Sequence, residues 1–109
     1  MEKFLTVLCT FPKANLAQET AETLLREKLV ACCNIVPNIT SIYVWQGEIQ
    51  HDSEVLMLMK TEQTRFGQLE KRILELHPYE VPEIIALPIE KGSVSYLNWI
   101  KQVLNDDRI

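Results

Sequence analysis

Residues 30–60 read VACCNIVPNITSIYVWQGEIQHDSEVLMLMK, and the fold turns on this stretch. From Val30 to Trp45 it is rich in Val, Ile, Tyr and Thr, the composition of a strand. Gln46-Gly47 makes a short hairpin turn, and Glu48 to Lys60 is the returning strand. Pro37 has no N–H to give to a ladder, so it marks a bulge or an edge position. The second half of the return, Val55-Leu56-Met57-Leu58-Met59, is apolar on both faces, so both faces need a cover. Length adds to this. An extended run from Ala31 to Trp45 spans roughly 45–50 Å, whereas a globule of this size is only about 35 Å across. The hairpin is expected to project beyond its own body, with Ile42, Tyr43, Val44 and Trp45 as an exposed apolar edge near its tip.

Working outward, Lys3 to Thr10 carries burial-prone Phe4, Leu5, Val7, Leu8 and Cys9 and reads as a first strand closed by Pro12. Ala14 to Leu29 places Ala14, Ala17, Ala21, Leu24, Leu25 and Leu29 opposite Gln18, Glu19, Glu22 and Arg26. That spacing predicts a helix whose small inner residues let it lie close to a sheet. Thr61 is the expected N-cap of a second helix, with Glu62 in its first turn. Phe66, Leu69, Ile73 and Leu76 form that helix's buried stripe, and His77-Pro78 stops it. Glu83 to Ile89 predicts a short strand. Gly92-Ser93 opens a last helix with Tyr96, Trp99, Ile100, Val103 and Leu104 inward. The order β-α-β-β-α-β plus a C-terminal helix is that of a ferredoxin-like α+β sandwich. Its two crossover helices share one sheet face, and only the last helix is left for the other.

The 109 residues are a single-domain length, read as one domain over 1–109. Hydrophobic residues make up 47% of them, more than one small core easily consumes, so a closed homo-oligomer is expected. The net charge of −4 comes with no basic cluster, which removes the electrostatic footprint of nucleic-acid binding. No apolar run approaches the roughly 20 residues needed to span a bilayer, so a membrane is not an expected partner. The N-terminal apolar stretch is short and broken by Thr6, unlike a signal peptide. Three cysteines, two of them adjacent, do not make a disulfide framework, and a reducing cytoplasm is the expected setting.

Little points to catalysis. The only glycines are Gly47, Gly67 and Gly92, so no phosphate loop is present. His51, Asp52 and Ser53 are consecutive and cannot form a triad among themselves. Cys9 and His77 are the metal candidates, since a thiolate and a neutral imidazole suit copper and related ions. Two ligands are a weak site, completed only by a carboxylate, water or a second protomer. The same residues can instead be a small core side chain and a helix C-terminal cap. Cys32 and Cys33 face opposite ways on a strand and read as packing residues. A second set, Tyr43, Trp45, Glu54, Lys60 and Tyr79, combines aromatics, a carboxylate and a lysine. In a cleft it would suit an anionic metabolite. Otherwise Lys60 pairs with a glutamate, and the aromatics anchor an interface.

Several strings occur together: Val7-Leu8-Cys9-Thr10 with Pro12, Leu29-Val30-Ala31-Cys32, Ser41-Ile42-Tyr43-Val44-Trp45-Gln46-Gly47, and His77-Pro78-Tyr79-Glu80-Val81-Pro82-Glu83-Ile84. Glu54 with Lys60-Thr61, and Tyr96-Leu97 with Trp99-Ile100, complete the set. With these the chain resembles the CutA family of divalent-cation tolerance proteins along essentially its whole length. The resemblance implies a cytoplasmic homotrimer of ferredoxin-like protomers, with hairpins reaching to neighbours and sheets packed around an axis, as in P-II signalling proteins. It implies a role in tolerance of copper and other divalent metal ions. It also implies a metal-ligand cysteine at Cys9 and histidines at the start of the His-Pro-Tyr string. Only His77 of those histidines is present here, with Leu76 before it. By the P-II analogy, the alternative is a signalling or scaffold trimer that binds a metabolite or partner in clefts between protomers.

Overall fold

The computed structural model describes residues 3–108; Met1, Glu2 and Ile109 lie outside them. Strand β1 (Phe4–Phe11) leads through helix α1 (Ala14–Arg26) to β2 (Cys32–Trp45), which turns into β3 (Glu48–Glu62). Helix α2 (Phe66–Leu76), strand β4 (Ile84–Pro88) and helix α3 (Val94–Leu104) follow. The sheet order is β2-β3-β1-β4, and every neighbouring pair is antiparallel. This is the ferredoxin-like sandwich expected, with the extra C-terminal helix.

Alternation along the strands divides the residues between two faces. Leu5, Val7, Cys9 and Phe11 of β1 join Val55, Met57 and Met59 of β3 in one core, closed by Ala17, Ala21 and Leu24 of α1 and by Leu69 and Ile73 of α2. Alanines at the α1 positions nearest the sheet permit that close approach. The opposite face is covered at one end only, where Ile100 and Leu104 of α3 pack on Phe4 and Ala31. Beyond α3, Leu8, Leu56 and Leu58 are half-buried, and Val36, Ile85 and Leu87 are exposed.

Three expectations are corrected. Thr61 is not a helix N-cap. It is a fully buried residue of β3, which runs on to Glu62, and its hydroxyl donates to Leu29 O at 2.7 Å. A 3-10 turn (Gln63–Arg65) then leads into α2. Helix α1 stops at Arg26 rather than Leu29, because Lys28 takes a left-handed φ of 60° and Leu29 N–H returns to Leu24 O at 3.0 Å. On α3, Ile100 and Leu104 point inward as expected, but Tyr96 and Trp99 are exposed and stack on each other with ring centroids 5.6 Å apart. Arg65 ties the two layers together. It donates to Lys28 O (2.9 Å) past the end of α1 and to Leu104 O (3.0 Å) at the end of α3, and pairs with Glu62 at 3.1 Å.

The hairpin projects as its length requires. The longest dimension of the molecule is 44 Å against 27 and 23 Å for the others. Ile42, Val44, Trp45 and Ile49 are all more than half exposed on it.

Candidate functional site

Pro37 does mark a bulge. Val36 pairs with Leu56 and Ile39 with Glu54, so β2 advances three residues while β3 advances two. One extra residue reverses the alternation. Before the bulge the even-numbered residues of β2 share the face of Leu56 and Leu58. After it, Ser41, Tyr43 and Trp45 share that face, opposite Asp52, Gln50 and Glu48. Asn38 absorbs the kink with a left-handed φ of 59°.

The segment after α2 wraps toward the same region. His77, the C-cap of α2, is buried and stacks on Phe11 with centroids 4.6 Å apart. Its Nδ1 accepts the Tyr79 N–H at 3.1 Å, and a backbone N–H can only donate. Nδ1 therefore carries the lone pair, and Nε2 bears the proton it donates to Thr10 O at 2.7 Å. Pinned in this way, Tyr79 donates its hydroxyl to Glu54 Oε2 at 2.7 Å. Burial, then the Glu54 carboxylate, raise the Tyr79 phenol well above its usual range, so it stays a donor. Tyr43 likewise donates to Asp52.

Between the hairpin base and the segment from Pro78 to Glu83 lies a cleft of about 730 Å³. Tyr43, Trp45 and Tyr79 supply aromatic wall, and Asp52, Glu54, Glu80 and Glu83 supply carboxylates. Of the five residues expected to share a site, the structure brings Tyr43, Trp45, Glu54 and Tyr79 together. It does not bring Lys60. Six residues along β3 separate Lys60 from Glu54, roughly 20 Å of strand, and its ammonium is hydrogen-bonded to Asn34. The anticipated glutamate partner is replaced by this amide. Asp52, Glu80 and Glu83 were missed in the sequence. Asp52 has a usable signal, since it stands two residues from Glu54 on the same strand face, whereas Glu80 and Glu83 arrive only through the wrap of the loop.

Cys9 and His77 do not fit a metal within one protomer as they stand. Cys9 is fully buried in the helix-side core, and burial, with the Glu83 and Glu54 charges, pushes its thiol up to about 12. A soft ion needs the thiolate. Both ring nitrogens of His77 are committed to backbone groups, and burial lowers its pKa. Among the described residues, no three His, Cys, Asp or Glu side chains converge enough to hold an ion. Cys32 and Cys33 diverge as expected. Cys33 packs on the core, and Cys32 lies beside Asn34 on the open side.

A four-stranded sheet, crossover helices on one face, a projecting hairpin and a carboxylate-lined cleft at its base define a ferredoxin-like protein specialised at its hairpin. The chain belongs to the CutA1 divalent ion tolerance protein family, whose model matches residues 5–103. It is 50% identical over 96 residues to the divalent-cation tolerance protein CutA of Thermus thermophilus, covering 88% of this chain and 93% of that protein. It is 44% identical over 97 residues to the Arabidopsis thaliana protein CutA, chloroplastic, covering 89% of this chain and 53% of that longer protein. The crystal structure of CutA1 from Oryza sativa superposes with a TM-score of 0.90 at 40% identity, over 93% of both chains. No helix among the described residues is long and apolar enough to cross a membrane.

Proposed function

We infer that the chain serves divalent-cation tolerance as a closed homotrimer without catalysis of its own, and that its ion, copper first, is held between protomers. The observation that carries this is the unfinished sheet face. Leu8, Leu56, Leu58, Ile85 and Leu87 lie on a surface that α3 covers only at one end, and a hairpin with apolar flanks projects beside it. Contiguous apolar area of this kind marks an interface in a soluble protein. Three copies packed by these faces would bury it, in interfaces above roughly 2,000 Å² as obligate assemblies do. The ion is placed between protomers because Cys9 and both nitrogens of His77 are spent inside one. Three free cysteines suit a reducing compartment, with the cytoplasm the simplest. A P-II-like role with an anionic metabolite is less favoured, since Lys60 stands away from the cleft.

Light scattering at micromolar concentration is expected to give the mass of three chains, and native mass spectrometry with Cu²⁺ to show the ion on the trimer alone. A stable monomer sinks the assembly. Copper held by a dissociated monomer, and lost in Cys9→Ser, returns the site to a single protomer.

A further inference from the structure

Helix α3 is held differently from the two crossover helices. The buried residues of α1 and α2 share one core with the sheet: Ala17, Ala21 and Leu24 on the first, Leu69 and Ile73 on the second. Ile100 and Leu104 of α3 belong to a separate, smaller cluster with Phe4 and Ala31. The helix supplies both of its own caps. Ser93 Oγ accepts the Tyr96 N–H at 3.3 Å, and the Asn105 amide donates to Lys101 O at 2.7 Å. Among the described residues, its hydrogen bonds to the rest of the chain run through Tyr96, on Cys32, and through Arg65. Arg65 Nη2 donates to Leu104 O at 3.0 Å and to Asn105 Oδ1 at 3.4 Å. Its Nη1 donates to Lys28 O at 2.9 Å, and its Nε to Glu62 Oε1 at 3.1 Å. Leu104 O stands at the negative end of the α3 dipole, where no intrahelical N–H remains to meet it.

This separates α3 from the rest in energy as well as in space. Lifting it away breaks the small cluster and the Arg65 and Tyr96 hydrogen bonds, while the main core keeps every one of its residues. Eleven residues are too few for a stable helix in water, so α3 melts once it leaves the sheet. A unit with few buried apolar contacts opens at a free energy below that of global unfolding. We infer that α3 is a strap that opens and melts as one unit while the sheet, α1 and α2 stay folded, with Arg65 as its latch. The planar fork of the guanidinium suits that task, since it reaches the end of α3, the turn after α1 and the end of β3 at once. Opening bares Phe4 and Ala31, so the strap sets where the apolar sheet face ends. These contacts lie inside one protomer, at the end of the sheet away from the hairpin turn.

Native-state hydrogen exchange of the full chain, in whatever assembly it forms, is the test. Protection of the α3 amides is expected to fall below that of the β1 and β3 amides by about tenfold or more. Met57→Ala loosens the main core, which stays folded when the strap opens. It should therefore speed exchange in β1 and β3 and leave the α3 amides unchanged. Arg65→Lys keeps a cation beside Glu62 but loses the fork, and is expected to speed the α3 amides about tenfold, the loss of one charge-assisted hydrogen bond. The wild-type comparison decides the matter even if a variant folds poorly. The proposal is overturned by any of three results: α3 protected as strongly as β1 and β3 in the wild type, Met57→Ala speeding α3 as much as the strands, or Arg65→Lys leaving α3 exchange unchanged.

Discussion

On the side of the sheet turned to α1 and α2, Val7, Cys9, Phe11, Met57 and Met59 have lost all contact with solvent. On the other side, one residue along the same strands, Leu8, Leu56 and Leu58 are only half-buried, and Ile85 and Leu87 are about half exposed. Both sides carry large apolar residues, although the second also carries Thr6, Asn34 and Lys60. They differ in what the chain brings to cover them: two amphipathic helices for the first, one end of α3 for the second. The first side is finished within a protomer, so its residues should govern folding. The second should govern assembly, and changes there should leave the protomer intact.

The sharpest way to break this contrast is Leu58→Lys. A charge on the open side has no partner if that side is buried in the proposed trimer, so the assembly is expected to fall to monomers while far-ultraviolet circular dichroism stays unchanged. A variant that remains trimeric would move the interface elsewhere. One residue further along, Met57→Ala is expected to cost about 2–5 kcal/mol of unfolding free energy by truncation in a packed core. Denaturant melts below about 1 kcal/mol of loss would mean that the helix side is loosely packed.

Trp45 tests the same contrast at the hairpin. It is 54% exposed in the protomer, so Trp45→Ala should hardly alter protomer folding yet weaken assembly by about 2 kcal/mol. Dilution series followed by sedimentation measure this directly, and an unchanged dissociation curve would leave the tip merely solvated.

The smallest effect is expected from His77, whose ring belongs to the helix side and whose loop reaches the other. Free in the unfolded chain it titrates near about 6.5, and burial holds it lower in the fold. As pH drops below about 6.5 the unfolded state therefore takes the proton first. Stability is fully present above that pH and declines from there through the depressed folded value. His77→Gln should flatten the slope between about pH 5 and pH 7. Parallel pH profiles for wild type and variant would show that the ring is not the sensor.

Period-two and helical patterns in the sequence were enough to place the strands and helices, because each reflects burial of one face of a local element. Pro37 announced its bulge for an equally local reason, the missing N–H. The projecting hairpin followed from length alone, since no protomer of this size can contain it. Thr61 was misjudged because a threonine before polar residues looks the same as a cap or as a strand end. Its place in the ladder opposite Leu5 and its hydrogen bond to Leu29 O, both long-range, distinguish them.

What the sequence by itself determined is the element order, the sandwich and the surplus of apolar surface. Tertiary structure alone decided the site. The bulge turned Tyr43 and Trp45 to the face of Glu54, and the His77 hydrogen bonds carried Tyr79 to it from 25 residues away. Lys60 was left with Asn34, at the far end of the same strand. The physical reason is that register and loop wrapping bring side chains together, and in a sheet a shift of one residue exchanges its two faces.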